Sequence, residues 1–246
     1  MRLLVLVLVL AVVLAGLLLG ADRVAASRAE AEVAQRLESS GQLTAADVQI
    51  AGFPFLTQAL AGRYERVDVL ARTLDTEEGV RLEEVEATLA GVRLPLRQVL
   101  RGGDDPVPVD RLDARALLPY DELERRADVP GLELGPGEAG PDGEVLRLAG
   151  DVRVAGRSVD AAAEAELRVE GEAVRITPRR ATLAGVEVEG RVADALAEAL
   201  DLRVDVGGLP FGLRLQSVEV TEEGVVAVAE ARDTVLDPVA AGAAAP

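Results

Sequence analysis

The sequence predicts an α+β protein built on a largely antiparallel sheet, and three observations predict it. Apolar residues alternate with polar ones in about ten segments of the chain, which is the period of a strand with one buried face. Short glycine-containing turns such as Glu170-Gly171-Glu172 and Glu223-Gly224 separate these segments, and turns of this length join antiparallel strands. Apolar spacing of three to four residues predicts a few helices in addition.

An apolar leader begins the chain. Leu3 to Leu19 contains no polar side chain and follows Arg2, the pattern of a segment that directs export. As a helix it would be about 25 Å long, slightly shorter than the roughly 30 Å hydrocarbon core of a bilayer. We therefore predict that residues 1–26 are a signal peptide or an uncleaved membrane anchor. The protein is then exported to the periplasm or cell envelope, secreted or anchored by residues 3–19.

The residues after the leader do not decide between these two outcomes. Val24 and Ala26 satisfy the small-residue requirement of a cleavage site before Ser27. Asp22 and Arg23 lie between the apolar run and that site and argue against cleavage. Both outcomes stay open at this point.

The body, residues 27–239, is predicted to be a single α+β domain. Its longest alternating segment runs from Val159 to Val169, with small side chains on the apolar face at Ala161, Ala163 and Ala165. Helical spacing is found at Ser27 to Ser39, Phe55 to Ala61, Tyr120 to Ala127 and Ala193 to Leu200. A Gly- and Pro-rich stretch at 130–143 is a predicted loop or internal boundary, and 240–246 a disordered tail.

Composition excludes most chemistry. The chain has no His, Cys or Lys, which removes histidine bases, thiol nucleophiles, disulfides and Schiff-base lysines. A formal net charge of -17 opposes binding to nucleic acid. We predict no cofactor, no metal and no catalytic residue, although the 43 acidic residues leave a carboxylate-dependent glycan hydrolase as a remote alternative.

Charged clusters have ordinary interpretations. Asp104, Asp105 and Asp110 could hold calcium, but their spacing is not that of a known calcium loop, so we interpret them as a solvated acidic loop. Arg clusters at 93/97/101, 125/126 and 179/180 could meet phosphate groups, but their many acidic neighbours favour surface ion pairs.

Two apolar turns supply the candidate binding site. Gly52-Phe53-Pro54-Phe55-Leu56 and Leu209-Pro210-Phe211-Gly212-Leu213 place large apolar groups where polar turn residues are usual. They either plug the ends of a curved sheet as filled core or line the mouth of an apolar ligand cavity. The predicted lipid-binding residues are Phe53, Phe55, Leu56, Leu60, Phe211 and Leu213.

These residues also carry a family resemblance. The leader, the run Gly-Phe-Pro-Phe-Leu-Thr-Gln-Ala-Leu-Ala-Gly at 52–62, and Leu-Pro-Phe-Gly-Leu-Arg-Leu at 209–215 resemble the actinobacterial LmeA-like family of envelope proteins. The resemblance implies a tubular lipid-binding fold similar to that of the bactericidal/permeability-increasing proteins, with a long, strongly curved antiparallel sheet wrapped around one or two helices. It implies an apolar groove for phospholipid acyl chains, upkeep of envelope lipoglycans, and no catalytic motif.

The function predicted from sequence is therefore a non-enzymatic envelope protein. It would bind phospholipid or a similar amphiphile, contact the membrane, and transport or present lipid to lipoglycan-synthesis enzymes. The main alternative is a protein-protein interaction scaffold without a lipid cavity.

Overall fold

The structure is a computed structural model. It describes residues 2–39, 41–76, 79–95, 97–98, 105–127, 131–137, 144–154, 157–171, 173–183, 186–187, 202–205 and 209–236. Side chains are not described for residues 1–15, 126–127, 151–159 and 202–205, nor for Pro178, Leu183 and Pro210.

Three α-helices and one 3₁₀ turn have described bounds, and residues 97–98 are helical as well. The four elements are α1 (Arg2–Ser39), α2 (Phe55–Ala61), α3 (Tyr120–Ala127) and the 3₁₀ turn Pro210–Gly212. The strands are β1 (Leu43–Thr44), β2 (Asp47–Ala51), β3 (Arg63–Asp75), β4 (Arg81–Arg93), β5 (Val107–Pro119), β6 (Glu133–Pro136), β7 (Glu144–Val154), β8 (Arg157–Glu170), β9 (Ala173–Leu183), β10 (Val186–Glu187), β11 (Leu202–Asp205), β12 (Arg214–Val220) and β13 (Gly224–Leu236).

The described strands form two mostly antiparallel sheets. The first has the order β1-β3-β4-β5-β13-β12, with β2 also paired to β3. The second has the order β10-β9-β8-β7-β6, with β11 also paired to β9. In its centre β8 pairs antiparallel with both β7 and β9. The predicted α+β class with largely antiparallel strands is confirmed; the tubular curvature stays a prediction.

The helix predictions agree closely with the structure. The bounds of α2 and α3 are those predicted, whereas the predicted helix at Ala193 to Leu200 lies outside the described residues. The helix predicted from Ser27 is the second half of α1, which runs without a break from the leader. Among the described side chains, no helix is long and apolar enough to cross a membrane. The side chains of residues 3–15, which make up most of the predicted leader segment 3–19, are not described.

Sequence periodicity does not reveal two strands in the region 102–143, β5 and β6. Because Asp110 lies in β5 and pairs with Arg93, the predicted acidic loop is wrong at this residue. Asp104 lies outside the described residues. The buried residues of β5 are Val109, Leu112 and Leu117, and this irregular spacing hides the strand from a period-two search. Strand β6 pairs with β7 inside the predicted Gly- and Pro-rich loop, and an edge strand tolerates its terminal Pro136.

The chain divides into two compact units. Unit 1 contains residues 1–72, 86–112 and 232–246, and unit 2 contains residues 73–85 and 113–231. Buried residues of unit 1 include Val48, Phe55, Ala59, Tyr64, Ala71 and Val92. In unit 2, Tyr120, Leu146, Leu167 and Val225 form a core cluster. Val, Leu and Ala supply most of the packing in both, as expected for a chain with few aromatic residues.

Candidate lipid-binding site

Helix α2 and the turn before it hold four of the six candidate residues. Gly52 has a φ of +97°, a left-handed conformation that favours glycine, and the Phe53–Pro54 peptide bond is cis. Gln58 secures this turn from within α2, because its side-chain amide donates to the Ala51 carbonyl at 3.1 Å. Its amide oxygen accepts from the backbone N–H of Glu65 at 2.9 Å. The apolar turn is therefore held in place by hydrogen bonds on both sides of α2.

Asp22 caps the start of α2. Pro54, the N-cap residue of α2, makes no side-chain capping bond. The two carboxylate oxygens of Asp22 instead accept the backbone N–H groups of Phe55 and Leu56 at 3.0 and 2.8 Å. Asp22 is only 2% exposed and lies in α1, 33 positions before Phe55. These bonds satisfy two donors that a helix start leaves unpaired, and they fix the apolar turn to α1 just after the apolar run.

The two apolar faces of α2 have different surroundings. Phe55 and Ala59 are buried, and the Phe55 ring centroid lies 6.2 Å from that of Tyr64. Burial raises the pKa of the Tyr64 hydroxyl. Leu56 and Leu60, four positions apart, share another face and are 41% and 78% exposed. Phe55 therefore belongs to the core, whereas Leu56 and Leu60 form an uncovered apolar stripe.

Phe53 belongs to the exposed set as well. About half of its surface is exposed, and the guanidinium carbon of Arg23 lies 5.4 Å from its ring centroid. This is a cation–π distance, so a cation from α1 accompanies the exposed ring.

The other two candidates, Phe211 and Leu213, lie in unit 2 and are half-buried. Phe211 is in the 3₁₀ turn with a φ of +59°, and Leu213 precedes β12. The structure thus brings together Phe53, Phe55, Leu56 and Leu60 around α2 and places the remaining pair in a second unit. Their role as lipid ligands stays a prediction.

An incompletely covered apolar sheet face lies on β3 and β4 in unit 1. The hydroxyl of Thr88 donates to Asp68 at 2.8 Å across the two strands, so these residues share the polar face. Their neighbours along each strand must then share the opposite face. Those neighbours are Val67, Val69, Ala87 and Leu89, and each is only half-buried. The sequence shows the alternation of these residues but not their partial exposure, because exposure depends on which distant residues pack against this face.

Two grooves have charged side chains in their linings, unlike the apolar sheet face. One of about 600 Å³ is lined by α1 and β2 with residues of β3, including Arg23, Glu30, Asp47, Arg66 and Asp68. The other, of about 470 Å³, lies in unit 2 and includes Glu133, Arg147 and Asp160 in its lining. Neither contains any of the six candidate residues. Charged linings do not favour acyl chains, so the apolar sheet face is the better candidate surface.

The buried carboxylates are held by partners. Besides Asp22, Glu122 lies 2.7 Å from Arg125, and Glu166 lies 2.5 Å from Arg168 and 3.2 Å from Arg179. The predicted ion pairing is thereby confirmed for one arginine in each cluster, at Arg93, Arg125 and Arg179. Within the described residues, no group of three or more acidic side chains could hold a metal ion.

The fold and the apolar face indicate a protein that binds an apolar ligand. Two mostly antiparallel sheets and the half-buried apolar face on β3 and β4 suit an apolar ligand. The chain belongs to the LmeA-like phospholipid-binding family, whose sequence profile matches residues 20–230. The predicted family is thus confirmed, and its description names binding rather than catalysis. No curated protein and no solved structure matches the chain.

Proposed function

We propose that this protein is a non-enzymatic, membrane-anchored envelope protein that binds phospholipid or a similar amphiphile. It would transport that lipid or present it to enzymes of envelope lipoglycan synthesis. The family match over residues 20–230 carries the proposal. The half-buried face of Val67, Val69, Ala87 and Leu89 supports it, because this surface is apolar and protein does not fully cover it.

Burial of acyl chains supplies the affinity. At about 25 cal/mol per Å², covering a few hundred Å² of acyl chain contributes several kcal/mol without any charged contact. An apolar mechanism suits a chain of net charge -17, which does not attract anionic headgroups by bulk charge.

Retention of the leader is the second part of the proposal. Cleavage before Ser27 would remove Asp22, which accepts the Phe55 and Leu56 amides, and Ala26, which is buried. The family match also begins at residue 20, before Asp22. Both observations support a folded unit that includes the end of the leader, with residues 3–19 as an uncleaved anchor.

Native mass spectrometry of the full chain tests lipid binding. The protein is expressed in an envelope-bearing host, extracted in a mild detergent and compared with Leu89→Asp, which places a charge on the apolar sheet face. We expect a phospholipid-mass adduct on the natural chain and its loss in Leu89→Asp, because the charge disfavours acyl contact. Thr88→Val, on the polar face, is the matched control and retains the adduct.

Circular dichroism of each variant separates loss of lipid from loss of fold. A folded natural chain with a bare mass and no uptake of labelled phospholipid from vesicles would overturn the lipid-binding proposal. That result would favour the scaffold, which needs no lipid cavity. The glycan hydrolase has less support, because Asp22, Glu122 and Glu166 are each engaged by amides or arginines.

A further inference from the structure

Protein packs against one side of α1 from residue 22 onward, whereas most other side chains of residues 23–39 are exposed. Leu17, Leu18 and Leu19 are all exposed, and consecutive helix residues point about 100° apart, so the helix is uncovered on several sides there. Asp22 and Ala26 are the first side chains along α1 that are described as buried. A helix that is apolar all round is stable in apolar surroundings, so the bilayer boundary is expected just before Asp22.

Helix α2 lies at this boundary. Asp22 bonds directly to the first amides of α2 and follows Leu19 by three residues, which is about 4.5 Å along a helix. The exposed stripe of Leu56 and Leu60 and the half-exposed Phe53 are therefore held next to the end of the apolar run.

We propose that α2 and its preceding turn form a second membrane contact, docked on the bilayer that holds residues 3–19. Leu56 and Leu60 enter the acyl boundary, and Phe53 with Arg23 lies at headgroup level. Continuity with the apolar run favours a bilayer over a protein partner as the occupant. The inference rests on the proposed anchoring but not on lipid carriage.

The proposed membrane contact adjoins the candidate lipid-binding surface along the chain. Strand β3 begins at Arg63, directly after Gly62 ends α2, and carries Val67 and Val69 on the half-covered face. The membrane contact and the first strand of the candidate lipid surface are therefore consecutive in the chain.

Leu70 provides a matched control position. It is 42% exposed, close to the 41% of Leu56, and belongs to the same unit. It pairs with Asp47, the neighbour of Ala46, whose amide bonds to Glu38 in α1. Glu38 follows Asp22 by 16 residues, which is about 24 Å along the helix. Leu70 is thus an equally exposed leucine near the far end of α1.

The chain contains no Trp, so a single introduced Trp reports its own surroundings. Full-length Leu56→Trp, Leu70→Trp and Val67→Trp are each reconstituted into phosphatidylcholine vesicles with and without brominated acyl chains. If α2 docks, brominated lipid lowers the emission of Leu56→Trp about twofold and leaves that of Leu70→Trp unchanged, and iodide in solution quenches Leu70→Trp more than Leu56→Trp. Equal iodide quenching at both positions, with no effect of brominated lipid on Leu56→Trp, overturns the docking.

Two further readouts separate this inference from the proposed function. Quenching of Val67→Trp by brominated lipid reports lipid on the sheet face. Its absence, together with quenching of Leu56→Trp, contradicts lipid carriage on that face and supports docking. Failure of the full chain to float with vesicles contradicts the anchoring, and the docking is then wrong as well.

Discussion

Asp22 is a buried carboxylate in the segment that a cleaved signal peptide would carry away. Replacing it with Ala leaves the Phe55 and Leu56 amides without their acceptor, one in a buried and one in a partly buried position. We expect Asp22→Ala to lower the free energy of unfolding by about 1–3 kcal/mol, measured by denaturant titration. Ser27→Ala is the control, because its exposed hydroxyl bonds only within α1. Equal effects of the two substitutions would contradict the capping role.

Tyr120 joins α3 to the turn before β13. Its hydroxyl donates to the Thr221 carbonyl at 2.6 Å, and burial, followed by the charge of Glu222, raises its pKa. A raised native pKa adds stability that is complete below the unfolded pKa of about 10 and is lost as pH rises toward the native value. We expect Tyr120→Phe to cost about 1 kcal/mol at neutral pH and to lose less stability above pH 10 than the natural chain. Thermal melts of both proteins from pH 7 to 11 measure these two effects. If stability falls above pH 10 as steeply in Tyr120→Phe as in the natural chain, the predicted pH effect is wrong.

At the scale of elements, the junction between α2 and β3 depends on Gly62. Its φ is +65°, and an added Cβ would lie 2.8 Å from the Pro95 Cα. We expect Gly62→Ala to destabilise the protein by more than about 1 kcal/mol, from backbone strain plus this clash. Gly79→Ala is the matched control, with a φ of +73° and no atom within 4 Å of the added group. Denaturant unfolding of both separates clash from strain, and equal losses would contradict the close contact with Pro95.

Strand and helix elements were predicted with different success. The bounds of α2 and α3 and the alternation of β3, β4 and β8 follow from local periodicity, which the sequence displays directly. Strand β5 was missed because its buried residues are unevenly spaced. On β8, Glu166 is buried on the face predicted to be polar, because Arg168 and Arg179 pair with it there. Burial of a charged residue depends on partners that periodicity does not reveal.

At the scale of the whole molecule, the fate of the leader decides where the protein works. If Asp22 is part of the fold, the mature protein keeps it, and we expect intact-mass analysis of the membrane fraction to show the full chain. Asp22 in an N-terminal peptide from the same fraction would identify the retained segment directly. A mature N-terminus at Ser27 in the soluble fraction would contradict the anchor and leave a secreted protein.

Local patterns alone determined that this is an α+β chain with alternating strands, an apolar run at 52–62 that resembles the LmeA-like family, and no histidine, cysteine or lysine chemistry. Only tertiary structure decided which apolar candidates are core and which are surface: Phe55 packs beside Tyr64, whereas Leu60 on the same helix is uncovered. It also decided the role of Asp22, whose partners are more than 30 positions away. Periodicity is local, whereas burial and capping depend on residues that are distant in sequence and meet only in the folded chain.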